Sequence, residues 1–317
     1  MLRKRISLAA SAVAIIALSG IALPSAQAAT SASHRVVQYY QTQYPGGVYL
    51  APPQATGASA GTTVIILAAV HLNEANSVNG TPAQVKINDN VPSASYYTQM
   101  WQDLSSRVAS GVKVMAMLGG AGGNSYKNLQ NDFDKYYGLL KSFISSRSAT
   151  ITGIDVDVEE RASITNATVE RLIKALRTDF GTSFTITMAP VPGALTTTGS
   201  DPLTGSVNYS NLKTSVGSYI SWYNVQMYCG WGTMASTDSY VRIINYGYDA
   251  AKIVGGTYTN TSGCRGYVDR ITLISVVKSL KNKYATFGGV AAWEYYNGSN
   301  SNQSPGTWAP DMKNAMA

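Results

Sequence analysis

Eight short runs of apolar, β-branched and aromatic residues alternate with longer amphipathic stretches along this chain. The runs fall at 35–40, 63–72, 112–118, 151–158, 183–189, 221–228, 252–257 and 287–293, each bounded by Gly, Asn, Ser or Pro. That composition and punctuation predict β-strands. Between them, 96–110, 128–146, 166–180, 237–248 and 269–283 predict helices. In 166–180, Val169, Leu172, Ile173 and Leu176 recur at helical spacing, with Glu170, Arg171, Lys174 and Arg177 on the opposite face.

Strands separated by crossover helices predict a parallel sheet, because parallel neighbours need long connections. Eight such strands close a ring, and the chain length suits a single (β/α)8 TIM barrel. An open doubly wound sheet is the rival. It would carry a Gly-rich phosphate loop after its first strand, whereas Gln41-Thr42-Gln43-Tyr44 follows here. The barrel is the better expectation.

The amino-terminal residues depart from this rhythm. Arg3, Lys4 and Arg5 precede an apolar run over 8–23, then Pro24 and Ala26-Gln27-Ala28. This is the pattern of a signal peptide, expected to be cleaved after residue 28. The apolar run is short for a bilayer span, so a retained anchor is the lesser alternative. The mature protein, 29–317, is expected to be one domain, secreted, extracellular, free of the membrane and monomeric. Losing three basic and no acidic residues lowers the net charge from +7 to +4. No Lys/Arg cluster is present to track phosphates, so nucleic acid is not an expected partner. Only 13% of residues are charged, which suits a domain that handles a neutral polymer. Cys229 and Cys264 are a candidate disulfide in an oxidising compartment, with two unpaired thiols as the alternative. With only His34 and His71 beside them, no zinc site is expected, and no cofactor is called for.

The chemistry concentrates in Thr152-Gly153-Ile154-Asp155-Val156-Asp157-Val158-Glu159-Glu160. Alternate residues of a strand share a face, so Asp155, Asp157 and Glu159 point one way and Ile154, Val156 and Val158 the other. Helices cover the outside of a barrel, so the aliphatic set is expected outward and the acids inward. Acids inside a barrel are costly unless hydrogen-bonded or sharing protons. Glu159 falls at the carboxyl end of its strand, the end where such barrels do their chemistry. An antiparallel strand with one wet face, or a Mg²⁺ or Ca²⁺ site, would use the same residues and remains an alternative at this point.

The same segment resembles the D-G-x-D-x-D-x-E element of glycoside hydrolase family 18, matching at Gly153, Asp155, Asp157 and Glu159. Met117-Leu118-Gly119-Gly120 is similar to that family's S-x-G-G element on the third strand. Met188-Ala189-Pro190 resembles its fifth-strand end, Gln226-Met227-Tyr228 its sixth, and 287–293, with its closing Trp293, its eighth. The resemblance implies substrate-assisted, retaining hydrolysis of β-linked N-acetylglucosamine glycans, an exception to the two-carboxylate scheme. It implies Glu159 as acid and then base, Asp157 and Tyr228 on the 2-acetamido group, and Asp155 acting on Asp157. Trp293, Gln226, Met188 and Tyr40 are expected to line the substrate site.

Asp157 and Glu159, about 6.6 Å apart at strand rise, are close enough to pass a proton between them. Thr152 stands where the family usually carries Asp, and Cys229 where many chitinases carry Asp or Asn. Cys229 and Cys264 follow strands six and seven, which brings them to neighbouring loops. Tyr39, Tyr40, Trp231, Tyr258, Tyr295 and Tyr296 lie near strand ends, for stacking on sugars or for packing alone. Three readings of function remain. The first is hydrolysis of chitin or chito-oligosaccharides. The second is an endo-β-N-acetylglucosaminidase acting on the chitobiose core of N-glycans. The third is a barrel that binds glycans without cleaving them.

Overall fold

Alternation along each apolar run decides which side chains enter the barrel, and the computed structural model shows the outcome. It describes residues 33–57, 59–73, 81–161, 164–196, 199–299 and 305–317. The expected signal peptide, 1–28, lies outside the described residues. Nine strands are present among them: β1 (Arg35–Tyr40), β2 (Val64–Asn73), β3 (Gln84–Ile87), β4 (Lys113–Gly119), β5 (Gly153–Asp157), β6 (Thr185–Met188), β7 (Trp222–Gln226), β8 (Ile253–Tyr258) and β9 (Gly289–Trp293). All except β3 run parallel, in the order β1-β2-β4-β5-β6-β7-β8-β9. Pairing of β9 with β1 closes the ring. This is the (β/α)8 barrel that the pattern predicts. β3, which the pattern reading passes over, adds antiparallel to the far end of β2, with His71 opposite Lys86.

The helices are α1 (Thr98–Ala109), α2 (Ser125–Asn131), α3 (Phe133–Ser146), α4 (Asn166–Phe180), α5 (Tyr209–Val216), α6 (Asp238–Asn245), α7 (Arg270–Lys283) and α8 (Trp308–Ala315). The single helix expected over 128–146 is two. Asp132 breaks it and caps α3, its side chain accepting from Lys135 N.

Two apolar clusters follow from the alternation. Ile154, Val156 and Val158 lie in the layer between strands and helices, with Val169, Leu172, Ile173 and Leu176 of α4. Inside the ring, Val37, Tyr39, Ile66, Met115, Met117, Trp222, Val254 and Ala291 form the second. With the outside of β5 sealed by aliphatic packing, its acids have only the interior to enter.

Candidate active site

The acids of β5 climb the interior in steps. Asp155, fully buried, lies opposite Thr187 of β6 and Met117 of β4. Its Oδ1 accepts from Thr187 Oγ1 at 2.5 Å and Asn224 Nδ2 at 3.1 Å, and its Oδ2 from Tyr39 OH at 2.6 Å. Burial raises its pKa, and the three donors pull it back.

Asp157, the next step, is 4% exposed and accepts from Gln226 Nε2 at 3.3 Å. Burial first, then the charges of Glu159 and Asp155 and a hydrogen bond with Glu159, push its pKa well above the usual carboxylate range. Glu159 follows β5, half-buried at the mouth, and its Oε1 accepts from Gln226 Nε2 at 3.0 Å. That nitrogen also reaches Ala189 O at 2.9 Å. An amide nitrogen has two hydrogens, so three acceptors compete for two donors. A proton on one of the two carboxyls would relieve the shortage, in keeping with the raised pKa of Asp157.

The backbone around the pair is fitted to it. Gly119 and Gly120 take φ values of +97° and +89°, a region open chiefly to glycine. A Cβ on Gly119 would strike the Asp157 carbonyl. That carbonyl instead accepts from Gly120 N at 3.0 Å. Beyond Glu159 the chain is pinned by Glu160, 6% exposed, whose oxygens accept from Tyr126 N and Lys127 N at 2.9 Å each. These are free donors of the first turn of α2, where a carboxylate is favoured. Glu160 was not singled out in the sequence, because two adjacent acids after a strand carry no signal of which one turns inward.

A cavity of about 230 Å³ opens over the pair, and Tyr39, Gln226, Tyr228 and Trp293 line it with Asp157 and Glu159. Trp293 packs edge-on against Tyr39, ring centres 5.2 Å apart. His71 lines the same cavity; burial lowers its pKa despite nearby Asp89. Among the described residues, no three His, Cys, Asp or Glu side chains converge as metal ligands would.

Two expected lining residues do not reach the cavity. Tyr40 is buried in the outer layer with its hydroxyl donated to Leu50 O. Met188 is fully buried in the same layer. Both belong to the outward phase of their strands, one residue out of step with Tyr39 and Thr187, which face the site. Cys229 and Cys264 form a disulfide, Cα atoms 4.9 Å apart.

Searches with family models find no match. Among solved structures, the chain resembles a chitinase, ChiC, from Aspergillus fumigatus, with 37% identity and a TM-score of 0.76 over 90% of this chain and 100% of that one. It also resembles a fungal endo-β-N-acetylglucosaminidase of glycosyl hydrolase family 18, with 32% identity and a TM-score of 0.77 over 89% of this chain and 97% of that one. The chain belongs to glycoside hydrolase family 18. Chitinase 2 of Rhizopus oligosporus is 27% identical over 207 residues, 61% of this chain but 35% of that protein. The chain thus spans about a third of the length of that curated relative.

Membership makes the departures from the family pattern informative. Thr152 lies at the strand foot, where its hydroxyl donates to Val114 O at 3.2 Å, away from the mouth. Met117 occupies the Ser position of the S-x-G-G element and packs in the inner apolar cluster; the hydroxyls that reach Asp155 are those of Thr187 and Tyr39. Cys229 has φ +54°, a left-handed conformation that Asp and Asn tolerate better than most residues. In this family 18 hydrolase the disulfide, with Cys229 N donating to Arg265 O at 2.5 Å, holds that turn.

Proposed function

We propose that this family 18 hydrolase cleaves β-1,4-linked N-acetylglucosamine glycans, chitin or chito-oligosaccharides, by substrate-assisted retaining catalysis. One observation carries the reading. Among the described residues, the carboxylates lining the cavity are Asp157 and Glu159, neighbours on one strand end that both accept from Gln226 Nε2. A conventional retaining pair flanks the bond from two sides. Among the described residues that line the cavity, no carboxylate stands apart from this pair to act as nucleophile, which favours a nucleophile supplied by the substrate.

Glu159 gives its proton to the glycosidic oxygen as the bond from C1 breaks. The 2-acetamido carbonyl oxygen forms a new bond to C1, giving an oxazolinium ion. Asp157 accepts the acetamide N–H and stabilises the charge, and the Tyr228 hydroxyl donates to the acetamide oxygen. Trp293 supplies the apolar floor. Glu159, now a base, takes a proton from the water that reopens the ring, and two inversions at C1 retain configuration. The resting proton on Asp157 lies one transfer from Glu159, as an acid at neutral pH requires.

The cavity shares Gln41 and His71 with a second groove of about 660 Å³, walled by Asn73, Asn88, Asn90 and Tyr96. A groove running on from the catalytic cavity favours a linear glycan. The likeness to a fungal endo-β-N-acetylglucosaminidase supports the second reading, cleavage of the chitobiose core of N-glycans. Offering chito-oligosaccharides and a high-mannose glycoprotein side by side, with products identified by mass, separates them. Short N-acetylglucosamine oligomers from the first substrate alone support chitin. Glycan released from the second, leaving one sugar on the protein, supports the endo reading. No product from either refutes hydrolysis of this class.

The proposal includes secretion as a monomer after removal of residues 1–28. The apolar start and the disulfide support it, and no described helix is long and apolar enough to cross a membrane. Protein recovered from culture medium should begin at Ala29.

A further inference from the structure

Another buried carboxylate stands near the catalytic pair, on a segment between β6 and α5 that the strand pattern does not reach. Asp201 is 1% exposed. Its Oδ2 accepts from Val191 N at 3.3 Å and its Oδ1 from Leu203 N at 2.9 Å. Val191 belongs to the turn that leaves β6, and the two residues before it hold Gln226. Pro190 O accepts from Gln226 N at 2.9 Å, and Ala189 O from Gln226 Nε2 at 2.9 Å. The same Nε2 reaches Glu159 at 3.0 Å and Asp157 at 3.3 Å. The side chain of Asp201 is therefore joined to the pair through one turn of backbone and one glutamine. It is not among the residues that line the cavity.

We propose that Asp201 is a positioning residue for the hydrolysis: its carboxylate fixes the turn that aims Gln226, and its negative charge helps keep the proton shared by Asp157 and Glu159. The inference rests on the reading of that pair given above. The titratable groups coupled electrostatically to Asp201 are Glu159 and Asp157 from the end of β5 and Tyr209 from α5. Burial, partly offset by the Leu203 and Val191 amides and reinforced by Glu159, raises Asp201 to about 6. Asp201 in turn adds to the upward push on Asp157. Once ionised, Asp201 adds a negative charge that acts on Asp157 and makes the proton of the pair harder to remove. The acid form then survives to higher pH.

The test compares full-length protein with its Asp201→Asn and Asp201→Glu variants. Asparagine removes the charge and turns one N–H toward a backbone donor; glutamate keeps the charge. In kcat/KM profiles on a chito-oligosaccharide, the alkaline limb of Asp201→Asn should move to lower pH by on the order of half a pH unit. The loss should fall on kcat more than on KM, and Asp201→Glu should return the limb toward the wild-type position. A uniform drop in rate with the limb unmoved makes Asp201 an ordinary loop anchor and overturns the proposal. Carbon-13 titration of the Asp and Glu carboxyls reads the same coupling without any glycan. In the wild type, the Asp157 signal should bend at the midpoint of Asp201, and the bend should vanish in Asp201→Asn. Its absence from the wild type also overturns the proposal, even if the asparagine variant fails to fold. A wild type that cleaves no glycan sinks the proposed reaction, while the carboxyl titration still decides the coupling.

Discussion

The two ends of the barrel interior both bury charge, and they accommodate it in opposite ways. At the floor, Arg35 is 4% exposed, and its Nη1 donates to Ala251 O at 2.9 Å and Gly288 O at 3.2 Å. Its guanidinium lies 4.4 Å over the ring of Trp222, a favourable placement for a cation. Burial lowers Arg35 to about 10, so it stays charged at neutral pH. At the mouth the charges are of like sign. The ion pairs among the described residues are Lys141–Asp179, Arg171–Asp134, Lys174–Glu170 and Arg270–Asp311, none of which involves the acids of β5. Where the floor uses carbonyl dipoles and a ring face, the mouth uses hydroxyls, amides and a retained proton. A site whose carboxyl pKa is raised keeps a proton in place above the usual carboxylate range, where it is available to be given.

The sharpest way to break this contrast is to remove the group at the outer end. Glu159→Gln preserves shape and the acceptor for Gln226 but has no proton to give. It should fold normally and lose on the order of a thousandfold or more in kcat. Circular dichroism with a sensitive fluorogenic assay checks both halves. Retention of full activity would remove Glu159 from the mechanism.

Asp157→Asn comes next. The rate should fall by roughly a hundredfold or more, since the orienting carboxylate is lost. Stability should respond in the other direction. The folded state raises the pKa of Asp157, so folding binds its proton more tightly than the unfolded chain does. Its contribution is fully favourable at low pH and is lost as pH rises from about 4, the unfolded value, through the raised one. The variant has no such proton. Its Tm, compared with the wild type at each pH, should gain as pH rises from acid to neutral. A variant that loses stability relative to wild type over that window would show that Asp157 is held as a favourable charge, not as an acid.

These contrasts were unevenly legible in the sequence. The inward set on β5 could be read because Ile154, Val156 and Val158 alternate strictly with the acids, and only one phase buries aliphatics beneath helices. At the end of β1 the alternation fails as a guide, since Tyr39 and Tyr40 are both aromatic and both buried. The family resemblance covers the whole Met188-Ala189-Pro190 element, but strand phase puts Thr187 inside and Met188 in the outer layer. β3, with four residues, is too short for alternation to stand out; α5 and α8 lie outside every expected helix, although α6, equally eight residues long, falls within 237–248. The break between α2 and α3 hides under continuous apolar spacing, since the cap at Asp132 is a matter of backbone angle. Glu160 acts through the amides of Tyr126 and Lys127, more than thirty residues back, which no local pattern announces; Asp201 pairs with the nearby Leu203 amide, but its reach to Val191 across the turn is not legible from spacing.

The smallest expected effect probes the floor, and it is a stability effect with no change in chemistry. Arg35→Leu fills much of the same volume with an apolar side chain. It removes a buried charge, which is a gain, but leaves the Ala251 carbonyl without its side-chain donor, while the Gly288 carbonyl still accepts from the backbone N of residue 35 at 3.0 Å. An unsatisfied buried polar group costs about 1–3 kcal/mol, and the relief of desolvation offsets part of that. The net should be a loss of about 1 kcal/mol, or a Tm lower by roughly 2–4 °C on the scale of a large single domain. The acids of β5 take their hydrogen bonds from Thr187, Asn224, Tyr39 and Gln226, none of which Arg35 donates to or accepts from. kcat per folded molecule and its pH profile should therefore match the wild type. A variant that melts early and also shifts the pH profile would mean that the two ends answer to each other, and the floor could no longer be treated as scaffold alone.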